Sequence, residues 1–220
     1  MKKILAGVLV ITSILVLLCS CSSGKQVDKV MEMYNSSVPT GIVAETTQTF
    51  GDRVLRGSYS LKKGTVDGKN AMVYEELHQE IYSVEEGSGS VVTPPIQEVS
   101  LVKEYIEGRG VRTDRKGKWA SAETLEIDSI ALNLDKKLID EVAYKNNTLS
   151  FIVYASDTEA VFGKDIGADV SVSIKDDGAY IIGVELFWLI PANEAEQTVL
   201  TAANVKITYT YDIITDLGIA

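Results

Sequence analysis

Alternation of apolar and polar residues is the feature that most restricts the fold of this chain. In residues 205–213, valine, isoleucine and tyrosine alternate with lysine, threonine and aspartate, so one face of the segment is apolar and the other polar. Residues 170–175 repeat the pattern and end at Asp177-Gly178, a dipeptide typical of hairpin turns. A strand with one apolar face next to a short turn belongs to an antiparallel sheet.

Turn residues divide the rest of the chain into further segments of strand length. Pairs such as Gly51-Asp52, Asp67-Gly68 and Asn146-Asn147 separate runs rich in β-branched and aromatic residues. The sequence therefore predicts strands at Gly41–Phe50, Arg53–Lys62, Ala71–Val84, Val99–Glu107, Gly110–Thr113, Thr148–Ala155, Val170–Lys175, Ala179–Ile190 and Val205–Ile213.

The segment Ala179–Ile190 differs because it is apolar at both parities except for Gly183 and Glu185. Such a run predicts a strand that is covered on both sides. One parity holds Tyr180, Ile182, Val184, Leu186 and Trp188, and the other holds Ile181, Phe187 and Leu189. Which of the two sets faces a cavity stays open at the level of sequence.

Helical spacing occurs in two places. Apolar residues between Gly24 and Asn35 recur every three or four positions and predict a short amphipathic helix that ends before Pro39. Similar spacing predicts a second helix over Leu134–Lys145, with Asn133 or Asp135 as its cap. Residues 192–203 fit either a helical turn or the approach to the last strand.

The first 24 residues have the three parts of an export signal. Lys2 and Lys3 precede an apolar run, Ile4–Leu18, and small residues follow it. The run has 15 residues, whereas a membrane-spanning helix needs about 20. An uncleaved transmembrane anchor and a plain secreted protein are the alternatives.

The end of this signal, Leu18-Cys19-Ser20-Cys21, resembles the bacterial lipoprotein box. The resemblance implies cleavage after Ser20 and a diacylglyceryl group on Cys21, whose two acyl chains anchor a protein stably to a membrane. We accordingly expect a signal peptide at 1–20, a lipidated cysteine and short tether at 21–26, and one domain at 27–217. The domain would lie on the outer, extracytoplasmic side of a bacterial cell membrane.

Composition restricts the partners. Without residues 1–20 the chain has 19 lysines and arginines against 31 aspartates and glutamates, a formal charge of −12. This charge repels nucleic acid, so we expect no nucleic-acid partner. Both cysteines lie in the signal and lipidation segment, so the domain has no thiol for a disulfide, redox chemistry or a metal. The protein partner is left unknown.

Few residues suggest catalysis. The single histidine, His78, shares one face of a predicted strand with Glu76 and Glu80, an arrangement suited to a cation, although a solvated strand face has the same pattern. Neither a nucleophile elbow nor a phosphate-binding or dinucleotide-binding glycine loop is present in the sequence. We predict no enzyme activity, no catalytic residue, no metal site and no cofactor.

Residues 108–119 carry five of the chain's arginines and lysines and end at Trp119. A basic segment with a terminal tryptophan suits contact with an anionic headgroup or wall polymer. The other interpretation is a hairpin with an exposed basic turn and a tryptophan packed inside.

The order of elements, together with Glu104-Tyr-Ile-Glu-Gly108 and Lys116-Gly-Lys-Trp119, is similar to bacterial lipoproteins of the LolA and LppX/LprG type. The resemblance implies an α+β fold: a curved antiparallel half-barrel with two or three short helices on its concave side, which holds acyl chains. Four residues of the strand at 179–190 are the candidate ligand-binding residues: Ile182, Val184, Leu186 and Trp188.

The expected function is thus a membrane-anchored binding module for a lipid or another hydrophobic ligand. The alternative is a structural or protein-interaction lipoprotein of the cell envelope without an internal ligand, because an ordinary core uses the same residues. An unfilled apolar cavity of roughly 300 Å³ or more would favour the first function, and a filled interior would favour the second.

Overall fold

A computed structural model describes residues 24–51, 53–81, 96–125 and 132–219, and for residues 53, 78–81 and 96–100 it describes the backbone alone. Among these residues, no helix has both the length and the apolar character that crossing a membrane requires. The predicted signal peptide and Cys21 lie outside the described residues.

The described part of the chain is an α+β structure with a single antiparallel sheet of ten strands, in the order β5-β4-β3-β2-β1-β10-β9-β8-β7-β6. The sheet is open, with β5 and β6 at its two edges. The strands are β1 (Gly41–Phe50), β2 (Arg53–Val66), β3 (Lys69–Ile81), β4 (Ile96–Ile106), β5 (Gly110–Thr113), β6 (Asp140–Lys145), β7 (Thr148–Val153), β8 (Val170–Asp176), β9 (Ile181–Ile190) and β10 (Thr201–Thr210).

Two meanders meet at the centre of this sheet. Strands β1 to β5 follow one another outward in one direction, and β10 back to β6 do so in the other. The first strand joins them, since β1 pairs with β2 on one side and with β10 on the other over all ten of its residues. The first and last strands of the domain are therefore neighbours.

The described part of helix α1, residues 24–36, covers one side of the sheet, which we call the helix face. Its buried residues Val27, Val30 and Met31 belong to the main core. This core also takes residues from β7–β10 and from the short helix α2 (Thr158–Phe162). Burial of these side chains against the sheet, at about 25 cal/mol per Å² of apolar surface, supplies the main stabilisation of this half of the domain.

The other half of the sheet has smaller clusters. Ile42 and Tyr59 connect the main core to a cluster on the same helix face, formed by Leu61, Tyr74, Tyr105 and Leu125. A third cluster, formed by Ala71, Val73, Ile106 and Leu217, lies on the opposite side, which we call the outer face.

Glycine is required where the C-terminal residues cross this outer face. A Cβ atom at Gly64 would lie 2.7 Å from the carbonyl oxygen of Ile214, closer than two such atoms approach. Gly64 and Ile214 also form a parallel bridge, so the C-terminal segment packs directly on the backbone of β2.

The predicted helix over Leu134–Lys145 is wrong. The segment forms a 3-10 turn at Lys136–Leu138 and then β6, which pairs with β7. The physical reason is the turn at Asn146 and Asn147, whose left-handed φ angles of 52° and 57° suit a two-residue hairpin and commit the preceding residues to a strand. Of the two residues predicted as caps, Asp135 caps the 3-10 turn and not a longer helix: its Oδ1 accepts a hydrogen bond from the Lys137 amide at 2.9 Å.

Strand β9 is also not covered on both sides by the described residues. Phe187 and Leu189 point to the outer face and are each 46 % exposed. Their apolar character resembles that of the buried parity, so the sequence pattern alone did not separate the two faces. Residues 192–203 contain both predicted alternatives, since a 3-10 turn at Glu194–Glu196 precedes the start of β10 at Thr201.

Two leucines on β9 test the assignment of faces. We expect Leu186→Ala to lower the free energy of unfolding by about 2–5 kcal/mol, because Leu186 lies fully inside the main core. Leu189→Ala, the matched control on the outer face, should cost less than about 1 kcal/mol. Urea unfolding followed by circular dichroism measures both values. Equal losses for the two variants would contradict the assignment.

Candidate functional site

The four candidate ligand-binding residues on β9 do not form one surface. Val184, Leu186 and Trp188 are buried on the helix face and belong to the main core under α1 and α2. Between β8 and β9 the register shifts, and Ile182 is the extra residue. It is half-buried and lines a groove of about 410 Å³ on the outer face, beside Gly183 and Thr208.

Packing on the helix face also involves tyrosines. Burial, together with the neighbouring Tyr34, raises the pKa of Tyr209 far above its ordinary value of 10. The Tyr34 hydroxyl in turn accepts a hydrogen bond from the Leu132 amide at 3.1 Å. Side chains of α1 thus pack against β10 on the helix face.

Three other residues that the sequence singled out, Cys21, His78 and Glu80, lie partly or wholly outside the part of the chain that the structure describes. Cys21 precedes the described residues. The backbone of His78 lies in β3 as predicted, but its side chain and that of Glu80 are outside the description. Among the described side chains, no group of three histidines, cysteines, aspartates or glutamates is placed to hold a metal ion.

A second and larger groove lies on the outer face of β1–β4, and we call it the outer groove. Its volume is about 610 Å³, within the range of ligand-binding pockets. Its lining residues are Val43, Ser58, Tyr59, Ser60, Glu75, Glu76, Leu77, Val102, Asp114 and Arg115.

Small residues on the second strand create the floor of the outer groove. Ser60 lies between Val43 of β1 and Glu75 of β3, and Ser58 lies one step further along the same face. Because successive residues of a strand point to opposite faces, the bulky Tyr59 turns to the helix face and leaves only two hydroxymethyl groups here. The taller side chains of β1 and β3 therefore stand on either side of a trough.

One wall of the outer groove is the turn that follows β5. The Asp114 amide donates to the carbonyl oxygen of Val102 at 2.9 Å, which holds the turn over β4. From there Arg115 reaches across to β3 and forms an ion pair with Glu75. Both side chains of this pair remain partly exposed, so the pair contributes little to stability but places charge at the rim of the groove.

A different ion pair fixes the base of the same turn. Glu104 is almost fully buried and pairs with Arg112, whose guanidinium lies 4.9 Å from the centre of the Trp119 ring. Trp119 itself packs against the cluster that contains Ile106. Of the two interpretations of the basic segment, the hairpin with an exposed turn and a packed tryptophan is therefore the one observed.

The outer groove continues toward the other end of β2. An adjoining groove of about 350 Å³ shares Ser58 and Leu77 with it and extends past Gly57 to Arg56 and Glu45. The two grooves therefore adjoin each other along the central strands.

Chemically, the outer groove offers apolar contacts, hydroxyl groups and one charged rim. Val43, Leu77 and Val102 supply the apolar contacts, and the two serines supply hydrogen-bond donors and acceptors. The neighbouring carboxylates Glu75 and Glu76 diverge, because Glu76 accepts a hydrogen bond from the Tyr74 hydroxyl on the helix face. This combination suits an elongated amphipathic molecule.

In comparisons with models of protein families and with curated proteins, the chain has no match.

The outer groove was not predicted from the sequence. A signal was present, since β2 alternates Ser58 and Ser60 with Tyr59 and Leu61, which marks one thin and one bulky face. The turn at Arg115 was visible only as part of a basic segment. Its contact with Glu75 joins residues 40 positions apart, and local pattern does not predict such a contact.

The two ion pairs should differ strongly in energy. We expect Glu104→Gln to destabilise the domain by about 3–5 kcal/mol, because it leaves the buried Arg112 charge without its carboxylate. Glu75→Gln, the control at the exposed pair, should cost no more than about 1 kcal/mol. Thermal and urea unfolding measure the difference. A loss at Glu75 as large as that at Glu104 would contradict the assigned burial.

Proposed function

We propose that this protein is a bacterial lipoprotein, anchored by Cys21 to the outer side of a cell membrane, and that it is a non-catalytic binding module. The observation that supports a binding role best is the outer groove, a ligand-sized trough with two serines on its floor, apolar side chains beside them and a charged rim. The ligand class we propose is a lipid or another amphipathic molecule of the cell envelope.

The proposed fold type is the curved half-barrel of the LolA kind. Two features support it: a long open antiparallel sheet and a helix packed on one side of it. In this domain, however, the side chains of α1 and α2 fill the helix face around Leu186 and Trp188. The proposed binding surface is therefore the outer face and not the side that the helices cover.

The alternative function is a structural or protein-interaction lipoprotein without an internal ligand. Exposed apolar side chains on the outer face of β9, Phe187 and Leu189, favour this alternative, because such residues often contact a partner. The two functions differ in whether a small molecule occupies the outer groove.

Lipidation is the first test. We expect the protein made in a bacterial host to start at Cys21 and to carry a diacylglyceryl group, measured by intact mass spectrometry of the membrane fraction. Cys21→Ala should abolish the added mass and release the protein from membranes, whereas Cys19→Ala should leave both unchanged. An unmodified chain that retains residues 1–20 would contradict the anchor.

Occupancy of the outer groove is the second test. We expect native mass spectrometry of the gently purified lipoprotein to show a co-purifying amphipathic molecule that is extractable by solvent. Ser60→Trp should fill the trough and remove that molecule, since the indole occupies the space above β2.

Ser171→Trp is the matched control. Ser171 is exposed on β8, away from the residues that line the outer groove, so the variant should retain the ligand. Protein that carries no ligand after incubation with lipid extracts would favour the interaction lipoprotein. Equal ligand loss in both variants would mean that the outer groove is not the binding site.

A further inference from the structure

The covalent distance between the lipidated cysteine and the folded domain restricts how the domain sits on a membrane. The described part of helix α1 starts at Gly24, three residues after Cys21. Three residues span at most about 11 Å in any conformation. If Cys21 carries the anchor, the first described turn of α1 therefore lies within about that distance of the headgroup layer.

Contacts identify the surface that surrounds this first turn. Asp28 forms an ion pair with Lys136, which brings the 3-10 turn at Lys136–Leu138 next to α1. The ammonium group of Lys29 donates to the carbonyl oxygen of Gly178 at 3.3 Å, which brings the β8–β9 turn to the same place. We call this surface, formed by the exposed residues of the first turns of α1 and by these two turns, the anchor surface.

The charge of the anchor surface differs from that of the whole domain. It contains Lys25, Lys29, Lys136 and Lys137 together with Asp28, Glu32, Asp135 and Asp177, so its charges balance. The chain without its signal has a formal charge of −12. An anionic bilayer repels most of the domain, but it does not repel this balanced surface, and lysines at a membrane surface attract anionic headgroups.

We propose that the anchor surface is the side of the domain that lies on the lipid headgroups, and that the outer groove faces away from the membrane. The packing of α1 supports the second part. Helix α1 packs on the helix face, whereas the outer groove lies on the opposite face. The ten-stranded sheet separates α1 from the outer groove, so a bound ligand or partner would approach from the far side. This orientation rests on the proposed lipid anchor at Cys21.

The sequence makes a direct test possible because the proposed lipidation modifies the thiol of Cys21, and cleavage of the signal peptide removes Cys19. An introduced cysteine is then the only free thiol of the mature protein. The variants Lys137→Cys on the anchor surface and Glu45→Cys on the outer face both place a thiol at an exposed position. Lys25→Cys and Thr208→Cys form a second pair of this kind.

Each purified lipoprotein is labelled with a thiol-reactive fluorophore and inserted into nanodiscs that contain lipids with a spin-labelled headgroup. We expect several-fold stronger quenching at Lys137→Cys and Lys25→Cys than at Glu45→Cys and Thr208→Cys. Equal quenching at the paired sites, or stronger quenching on the outer face, would overturn the orientation. Circular dichroism of each variant establishes that it is folded.

Charge reversal tests the contribution of the anchor surface independently of the lipid anchor at Cys21. In nanodiscs with phosphatidylglycerol, Lys25→Glu combined with Lys29→Glu should reduce quenching at the Lys137→Cys probe, because it makes the anchor surface acidic. Lys116→Glu combined with Lys118→Glu, on the turn after β5, adds the same charge elsewhere and should leave quenching unchanged. Equal effects of the two double variants would overturn the role of the anchor surface.

Intact mass spectrometry distinguishes failure of the proposed orientation from failure of the proposed lipid anchor. A lipidated protein whose paired sites are quenched equally contradicts the orientation alone. A protein without the diacylglyceryl group contradicts the anchor on which the orientation rests.

Discussion

The antiparallel pairing of β1 with β10 is the constraint on which the rest of this structure depends. It joins the two meanders along ten residue pairs and makes the beginning and the end of the domain adjacent. Because β1 also pairs with β2 along its whole length, it is a central strand although it comes first in the chain. This pairing is nonlocal, so its loop-closure entropy is offset only when both meanders form.

The sheet that this pairing completes has two faces with different chemistry. The helix face carries the large apolar residues of β7–β10 and buries them under α1 and α2. The outer face of the central strands carries Ser58, Ser60, Glu45 and Lys206, which leave a trough in place of a core. One sheet thus separates a filled interior from an open, grooved surface, and this separation underlies both the proposed binding role and the proposed orientation on the membrane.

Much of the strand pattern was predictable from sequence, for physical reasons that are local. Both boundaries of Gly41–Phe50 and Gly110–Thr113 are confirmed, because turn residues limit these strands on each side. The helix that precedes β1 is likewise confirmed. Strand β6 was not predicted, because the apolar residues of the segment have helical spacing: Leu134, Leu138, Ile139 and Val142. The left-handed backbone of Asn146 and Asn147 favours a hairpin over a helix at this place.

The sequence by itself determined the class of the fold, because a period of two with short turns is compatible only with an antiparallel sheet of this kind. It also carried the expectation of a lipid anchor, which depends on a contiguous motif around Cys21. Only the tertiary structure decided which side of β9 is buried and where a ligand-sized groove lies. Those features depend on contacts between residues far apart in the chain, such as Arg115 with Glu75 and α1 with β10. Residues that point into a core and residues that line a groove can have the same local pattern, so packing alone distinguishes them.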